Sequence, residues 1–154
     1  MIKSWLRWGF FVVLGMFLWL SFVGGVLALP VGDLLKQPVT EVRVSLGNAE
    51  NELKFIPNNF EFVVGKRYKL VLDNPSLQKH YFTSKDFADA SWTQKVEAGK
   101  VEIKGNIHEL ELKPGAMAEW FFVPVKPGSY LLRCPIAGHT EAGMTGMIKV
   151  VVDA

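Results

Sequence analysis

The stretch Tyr130-Leu-Leu-Arg-Cys134-Pro-Ile-Ala-Gly-His139-Thr-Glu-Ala-Gly-Met144-Thr-Gly-Met147 decides how this chain is read. Tyr130, Leu131, Leu132 and Arg133 run as a strand into Cys134. Pro135 has no N–H to give a ladder and stops the pairing there. Gly138, Gly143 and Gly146 punctuate a loop, and Met147 to Val152 resumes as a strand. A thiol, an imidazole and a thioether therefore recur every five residues along one loop between two strands. Alone, a Cys is usually a small buried hydrophobe and a Met is core filler. The strand–loop–strand setting favours ligation instead, because all three side chains can point inward at one atom.

Such a loop supplies three of the four ligands of a trigonal His2Cys site with a weak axial Met, a donor set that selects copper and tunes it for electron transfer. The second imidazole has to come from upstream, and His80 is well placed to supply it. The expected metal ligands are His80, Cys134, His139 and Met144. Met147 competes for the axial place, but it sits where the last strand begins and is expected to pack in the core. Met117 follows a Pro-Gly-Ala turn, and nothing relates it to the loop. His108, between Ile107 and Glu109 on an alternating strand, reads as a solvated or packed side chain. With three histidines in all and two used, none remain for a second copper cluster, and the single cysteine cannot form a two-cysteine binuclear centre. Structural zinc prefers several thiolates or imidazoles and rarely accepts a thioether. Nucleophilic catalysis by Cys134 needs a base and a third group to orient it. His139 offers the base, but nothing nearby resembles the third member, so no enzyme is expected.

Upstream, Lys3 and Arg7 precede an uncharged, strongly apolar run over residues 8–31. It exceeds the ~7–15 residues of a signal-peptide core and is long enough for a bilayer, which takes about 20. Val26-Leu27-Ala28 also offers a small-residue cleavage site. Residues 1–31 therefore read as a signal peptide or a membrane-anchor helix, with the basic residues left on the cytoplasmic side. Lys3 and Arg7 also account for the whole formal net charge of +2. The remaining chain is balanced, with no basic patch for nucleic acid. One cysteine in an exported protein makes no internal disulfide, and coordination explains its presence.

Residues 32–40 read as a linker, and 41–154 as one domain of ordinary size. Strands are predicted at Glu41–Leu46, Leu53–Ile56, Phe60–Val64, Tyr68–Leu72, His80–Thr83, His108–Leu112, Ala118–Val123, Tyr130–Arg133 and Met147–Val152, from alternation and intervening Pro, Gly and Asn turns. From Ser84 to Gly105 the pattern weakens; Phe87, Ala90 and Trp92 suit a short helix or an irregular excursion, with Trp92 packed on the sandwich. Short strands without a long soluble helix indicate an antiparallel, all-β sandwich.

This pattern resembles the cupredoxins, the small blue-copper family that includes plastocyanin, azurin, auracyanin and rusticyanin, over roughly Val42 to Val152. Cys134-x4-His139-x4-Met144 is the most specific piece and is most similar to the auracyanin and rusticyanin loops. Asn74-Pro75 followed by His80-Tyr81-Phe82 resembles the family's approach to its first histidine ligand. Pro127-Gly128 with Tyr130 to Cys134 resembles its approach to the copper loop. The resemblance implies a Greek-key sandwich holding one type 1 copper ion, with His80, Cys134 and His139 in one plane and Met144 axial. Many family members carry Asn directly after the first histidine, where it ties the two ligand loops; Tyr81 stands there instead.

The expected function is one-electron transport outside the cytoplasm, in a periplasm or another exoplasmic space such as a thylakoid lumen. Cytochromes or membrane electron-transfer complexes would be the redox partners. Electrons would pass through His139, ringed by an apolar patch of Ile136, Ala137, Ala142 and Gly143. The alternative with the same four ligands is copper sequestration, delivery or resistance.

Overall fold

The computed structural model describes residues 33–153. The segment expected to be a signal peptide or anchor lies outside the described residues. Among the described residues no helix is long and apolar enough to cross a membrane. Eleven strands follow in order: β1 Thr40–Leu46, β2 Phe55–Ile56, β3 Asn59–Val63, β4 Tyr68–Asp73, β5 His80–Thr83, β6 Ser91–Ala98, β7 Val101–Ile103, β8 Glu109–Leu112, β9 Met117–Pro124, β10 Gly128–Arg133 and β11 Thr145–Val151. Among the described residues a 3-10 turn covers Leu34–Lys36, and one short α-helix, α1, spans Lys85–Asp89 between β5 and β6.

The strands form two sheets, a six-stranded one in the order β2-β1-β4-β9-β6-β7 and a five-stranded one in the order β3-β11-β10-β5-β8. The sandwich is the architecture expected, but its sheets are mixed. β1 lies parallel to β4 and β3 parallel to β11, while the other pairs are antiparallel. Alternation in sequence reports which side chains face inward and is blind to the direction of the neighbouring strand, so the two parallel pairs were not readable.

Alternating positions face the core: Val44 and Leu46 on β1, Phe60 and Phe62 on β3, Trp120 and Phe122 on β9, Ile148 and Val150 on β11 are all buried. Each such side chain contributes about 1.5–3 kcal/mol by leaving water. Phe62 meets Phe122 edge-on at 5.3 Å between centroids, and Phe87 meets Trp120 at 5.7 Å, arrangements that add to simple burial. Phe87 belongs to α1 and is wholly buried. The weakly patterned stretch therefore contains both a core plug and a full strand, β6, paired along β9. A register shift between Thr93 and Lys95 breaks the period of two, which is why β6 did not read as a strand.

Two packing expectations are corrected. Trp92 stands opposite Val123 but is 41% exposed, and Met147, opposite Leu131 and Asn59, is 40% exposed. Both occupy outward positions: in β11 the inward places belong to Ile148 and Val150. Gly146 seats β11 against the chain entering β3, since a Cβ there would lie 2.2 Å from the Asn58 carbonyl oxygen. Gly146→Ala is expected to cost about 3 kcal/mol, the upper part of the range for overpacking, because backbone must move. Urea denaturation followed by circular dichroism measures it; an unchanged midpoint would place this contact wrongly.

Candidate metal centre

His80 opens β5, and Cys134 directly follows β10. The ladder between β10 and β11 runs to the pair Arg133–Thr145 and continues one step further, where Cys134 N–H donates to the Met144 carbonyl at 3.1 Å. Inside this closure Met144 N–H donates to the His139 carbonyl (2.9 Å) and His139 N–H to Ile136 (3.0 Å). The Thr140 hydroxyl reaches back to the Cys134 carbonyl at 2.7 Å. Gly138 and Gly143 turn the loop at φ of +84° and +105°, values that side-chain-bearing residues rarely adopt. The loop is thus a hydrogen-bonded structure that presents its side chains inward.

The structure brings three of the expected ligands together. One ligand atom from each of His80, Cys134 and His139 lies within 4.8 Å of the others, and all three residues are buried. Cys134 Sγ is 3.5 Å from His139 Nδ1, and the two imidazole rings lie 5.2 Å apart between centroids at 55°. Met144, from the same loop, is wholly buried in the core cluster that contains Cys134. His108 lies away from this group, its Nε2 2.7 Å from Asp89 on the surface. Met117 is 55% exposed.

His80 carries the clearest sign of a ligand. Its Nε2 is 3.1 Å from Ser76 Oγ, while its Nδ1 is fully buried with no hydrogen-bond partner. An orphaned buried acceptor costs roughly 1–3 kcal/mol, and a bound cation would remove that cost. Burial first, and then the nearby charge of His139, holds the His80 imidazole below its ordinary pKa. This favours the neutral ring, the form that ligates metals. A thiol and two imidazoles, with a buried thioether on the same loop, fit one type 1 copper ion; a closed four-ligand zinc site would rarely include a thioether.

Tyr81 does not tie the ligand loops through its side chain. Its phenol donates to Glu111, and the Lys79 ammonium lies over its ring at 5.5 Å. Its backbone N–H points at Cys134 Sγ at 3.5 Å, so the strand itself links the two loops. Asn74 fixes the other approach. It is 1% exposed, donates to the carbonyls of Gln78 and Leu112 at 2.8 Å each, and accepts from Ser76 N–H. Sequence reasoning assigned no role to Ser76 or Asn51, which stand behind His80; an Asn-Pro-Ser turn signal marks a bend but names no bond.

Comparison with known proteins agrees with this geometry. No protein-family model matches the chain. The plastocyanin major isoform, chloroplastic, of Arabidopsis thaliana is 29% identical over 109 residues, which cover 71% of this chain. That match spans 59% of the plastocyanin's own length. Auracyanin A, a "blue" copper protein of the green thermophilic photosynthetic bacterium Chloroflexus aurantiacus, superposes with a TM-score of 0.52 at 19% identity. The superposition covers 74% of this chain and all of that one. The fold is that of the cupredoxins. A multi-copper oxidase from Pediococcus acidilactici shares it too, with a TM-score of 0.55 at 13% identity, over 76% of this chain but 27% of the oxidase. One cupredoxin fold thus occurs both as a whole small protein and as part of a larger enzyme, and only the site can decide between roles.

Asn74→Ala is expected to destabilise the apo-protein by about 2 kcal/mol, since it strands the buried Leu112 carbonyl and the Ser76 N–H and removes the bond to the Gln78 carbonyl. Chemical denaturation checks this; a loss below about 0.5 kcal/mol would show that Asn74 does not hold the His80 approach.

Proposed function

We propose that this chain is a one-electron carrier that holds a single type 1 copper ion through His80, Cys134 and His139, with Met144 as the weak axial ligand. When bound, the copper supplies one-electron exchange between Cu(I) and Cu(II). The observation that carries the reading is the asymmetry of exposure: His139 is 8% exposed, whereas His80, Cys134 and Met144 are 0% exposed. Cys134 and Met144 keep water from the centre, and His139 is the one ligand whose edge reaches the surface. Pro135, Ala137, Gly138, Ala142 and Gly143 are exposed around it and form a small, largely uncharged docking face, with Ile136 partly buried among them. Small interfaces suit brief redox encounters. The hydrogen-bonded loop and the strand carrying His80 keep the donors in place in both oxidation states, which lowers the reorganisation that each transfer requires.

Residues 1–31 would export the domain or tether it, placing it in a periplasm or another exoplasmic space such as a thylakoid lumen. Cytochromes or membrane electron-transfer complexes would be its partners. The likeness to plastocyanin and auracyanin supports the carrier reading over an oxidase. The second reading, copper sequestration or delivery, uses the same ligands. The burial of three of the four weighs against it, because release would require the loop to open.

Two measurements separate these. The purified full chain given Cu(II) is expected to show an intense thiolate-to-copper absorption band that Cys134→Ser abolishes; a colourless wild type would end the copper proposal. Met144→Leu is expected to keep the band and raise the reduction potential, because withdrawing a donor disfavours Cu(II) more than Cu(I). An unchanged potential would remove Met144 from the ligand set. A delivery protein, unlike a carrier, would lose its copper to a chelator within minutes and exchange electrons slowly with a soluble haem protein.

A further inference from the structure

We infer that Asn51 and Ser76 form a hydrogen-bond relay that sets the orientation and the electron-donating strength of His80, making them positioning residues for the metal centre. This rests on the copper reading above.

The relay follows from counting protons. Leu77 N–H donates to Asn51 Oδ1 at 2.7 Å, which fixes that atom as the amide oxygen, since an amide nitrogen accepts nothing. Ser76 Oγ is 3.1 Å from the same oxygen and must therefore give its only proton there. Gln78 N–H donates to Ser76 Oγ at 3.1 Å, so the hydroxyl has no proton left for its third contact. At that contact His80 Nε2 has to be the donor. The ring is thereby fixed as its Nε2–H tautomer, and the lone pair rests on Nδ1, the buried atom without a partner. The direction is continuous: His80 Nε2–H to Ser76 Oγ–H to Asn51 Oδ1.

The chain is built for this. Asn51 has a φ of +59°, a left-handed conformation that Asn tolerates better than most residues. Gly47 leaves room for the relay: a Cβ there would lie 3.1 Å from Ser76 Cβ and 3.2 Å from His80 Nε2. Ser76 is 1% exposed, so solvent is not a ready substitute. A stronger acceptor at the end of the relay makes Ser76 Oγ a better acceptor in turn. Electron density is then pushed onto His80 Nδ1, which stabilises Cu(II). Partners of this kind typically change metal affinity about 10–100-fold when removed.

The test uses the copper-loaded full chain at one pH. Asn51→Asp, whose φ requirement is the same, is expected to lower the reduction potential. Ser76→Ala is expected to raise it and to speed copper loss to a chelator by about 10-fold. In the double variant the Asn51→Asp shift should largely vanish, since its route passes through Ser76. Ser76→Thr should restore the wild-type potential. Additive shifts, or equal potentials in all variants, would overturn the relay, because a merely structural or long-range Coulombic role would not depend on Ser76. If Ser76→Ala fails to fold, Asn51→Gly against Asn51→Asp carries the same test, with potentials moving in opposite directions. Nitrogen-15 NMR of the apo-chain decides the point even if no copper band is found. His80 as a single Nε2–H tautomer supports the relay, and an Nδ1–H ring refutes it.

Discussion

The closure from Cys134 N–H to the Met144 carbonyl is the constraint on which the centre depends. It extends the β10–β11 ladder past its last strand pair, so the ligand loop leaves from and returns to the same rung. A thiol and a thioether at the two ends of that rung cannot separate without breaking sheet hydrogen bonds. His139, bonded to both halves of the loop through its backbone, is held between them. The second sheet neighbour, β5, then brings His80 across: its next residue, Tyr81, donates its N–H to the Cys134 sulfur. Three donor groups, those of His80, Cys134 and His139, converge because two strand ends and one loop are tied to each other, with no need for the metal to assemble them.

That arrangement explains the chemistry better than the ligand list alone. Buried polar atoms normally find hydrogen-bond partners, and leaving an acceptor unpaired is costly. Here His80 Nδ1 is left open while Nε2 is engaged, and burial keeps the ring neutral. The fold offsets this cost with a large core in which Phe62, Phe87, Trp120 and Phe122 pack against one another. Such a prepared cavity suits a centre that changes charge without changing shape.

Much of this was legible in the sequence, for identifiable reasons. The five-residue spacing of Cys134, His139 and Met144 between two strand patterns gave the loop and its inward-facing donors. The alternation in β1, β3, β9 and β11 gave the sandwich. What was hidden was whatever depends on contacts remote in sequence. β6 escaped because its bulge interrupts the period of two, and Phe87 could not be recognised as a core plug without the strands it fills. Met147 was expected in the core and Trp92 packed on the sandwich because hydrophobicity alone assigns no face. The Asn51–Ser76–His80 relay joins a β1–β2 loop to the approach to β5, and no local pattern announces it. Tyr81 read as a departure from the expected Asn, yet its backbone N–H reaches the sulfur whatever its side chain does.

The central claim is that the donors are already in place and move little when an electron is gained or lost. X-ray absorption at the copper edge, on the copper-loaded full chain in its oxidised and reduced forms, tests it most directly. The account predicts one short sulfur contact and two nitrogen contacts in both states, with nearly unchanged distances. Loss of a nitrogen ligand on reduction, or the absence of the short sulfur contact, would contradict it.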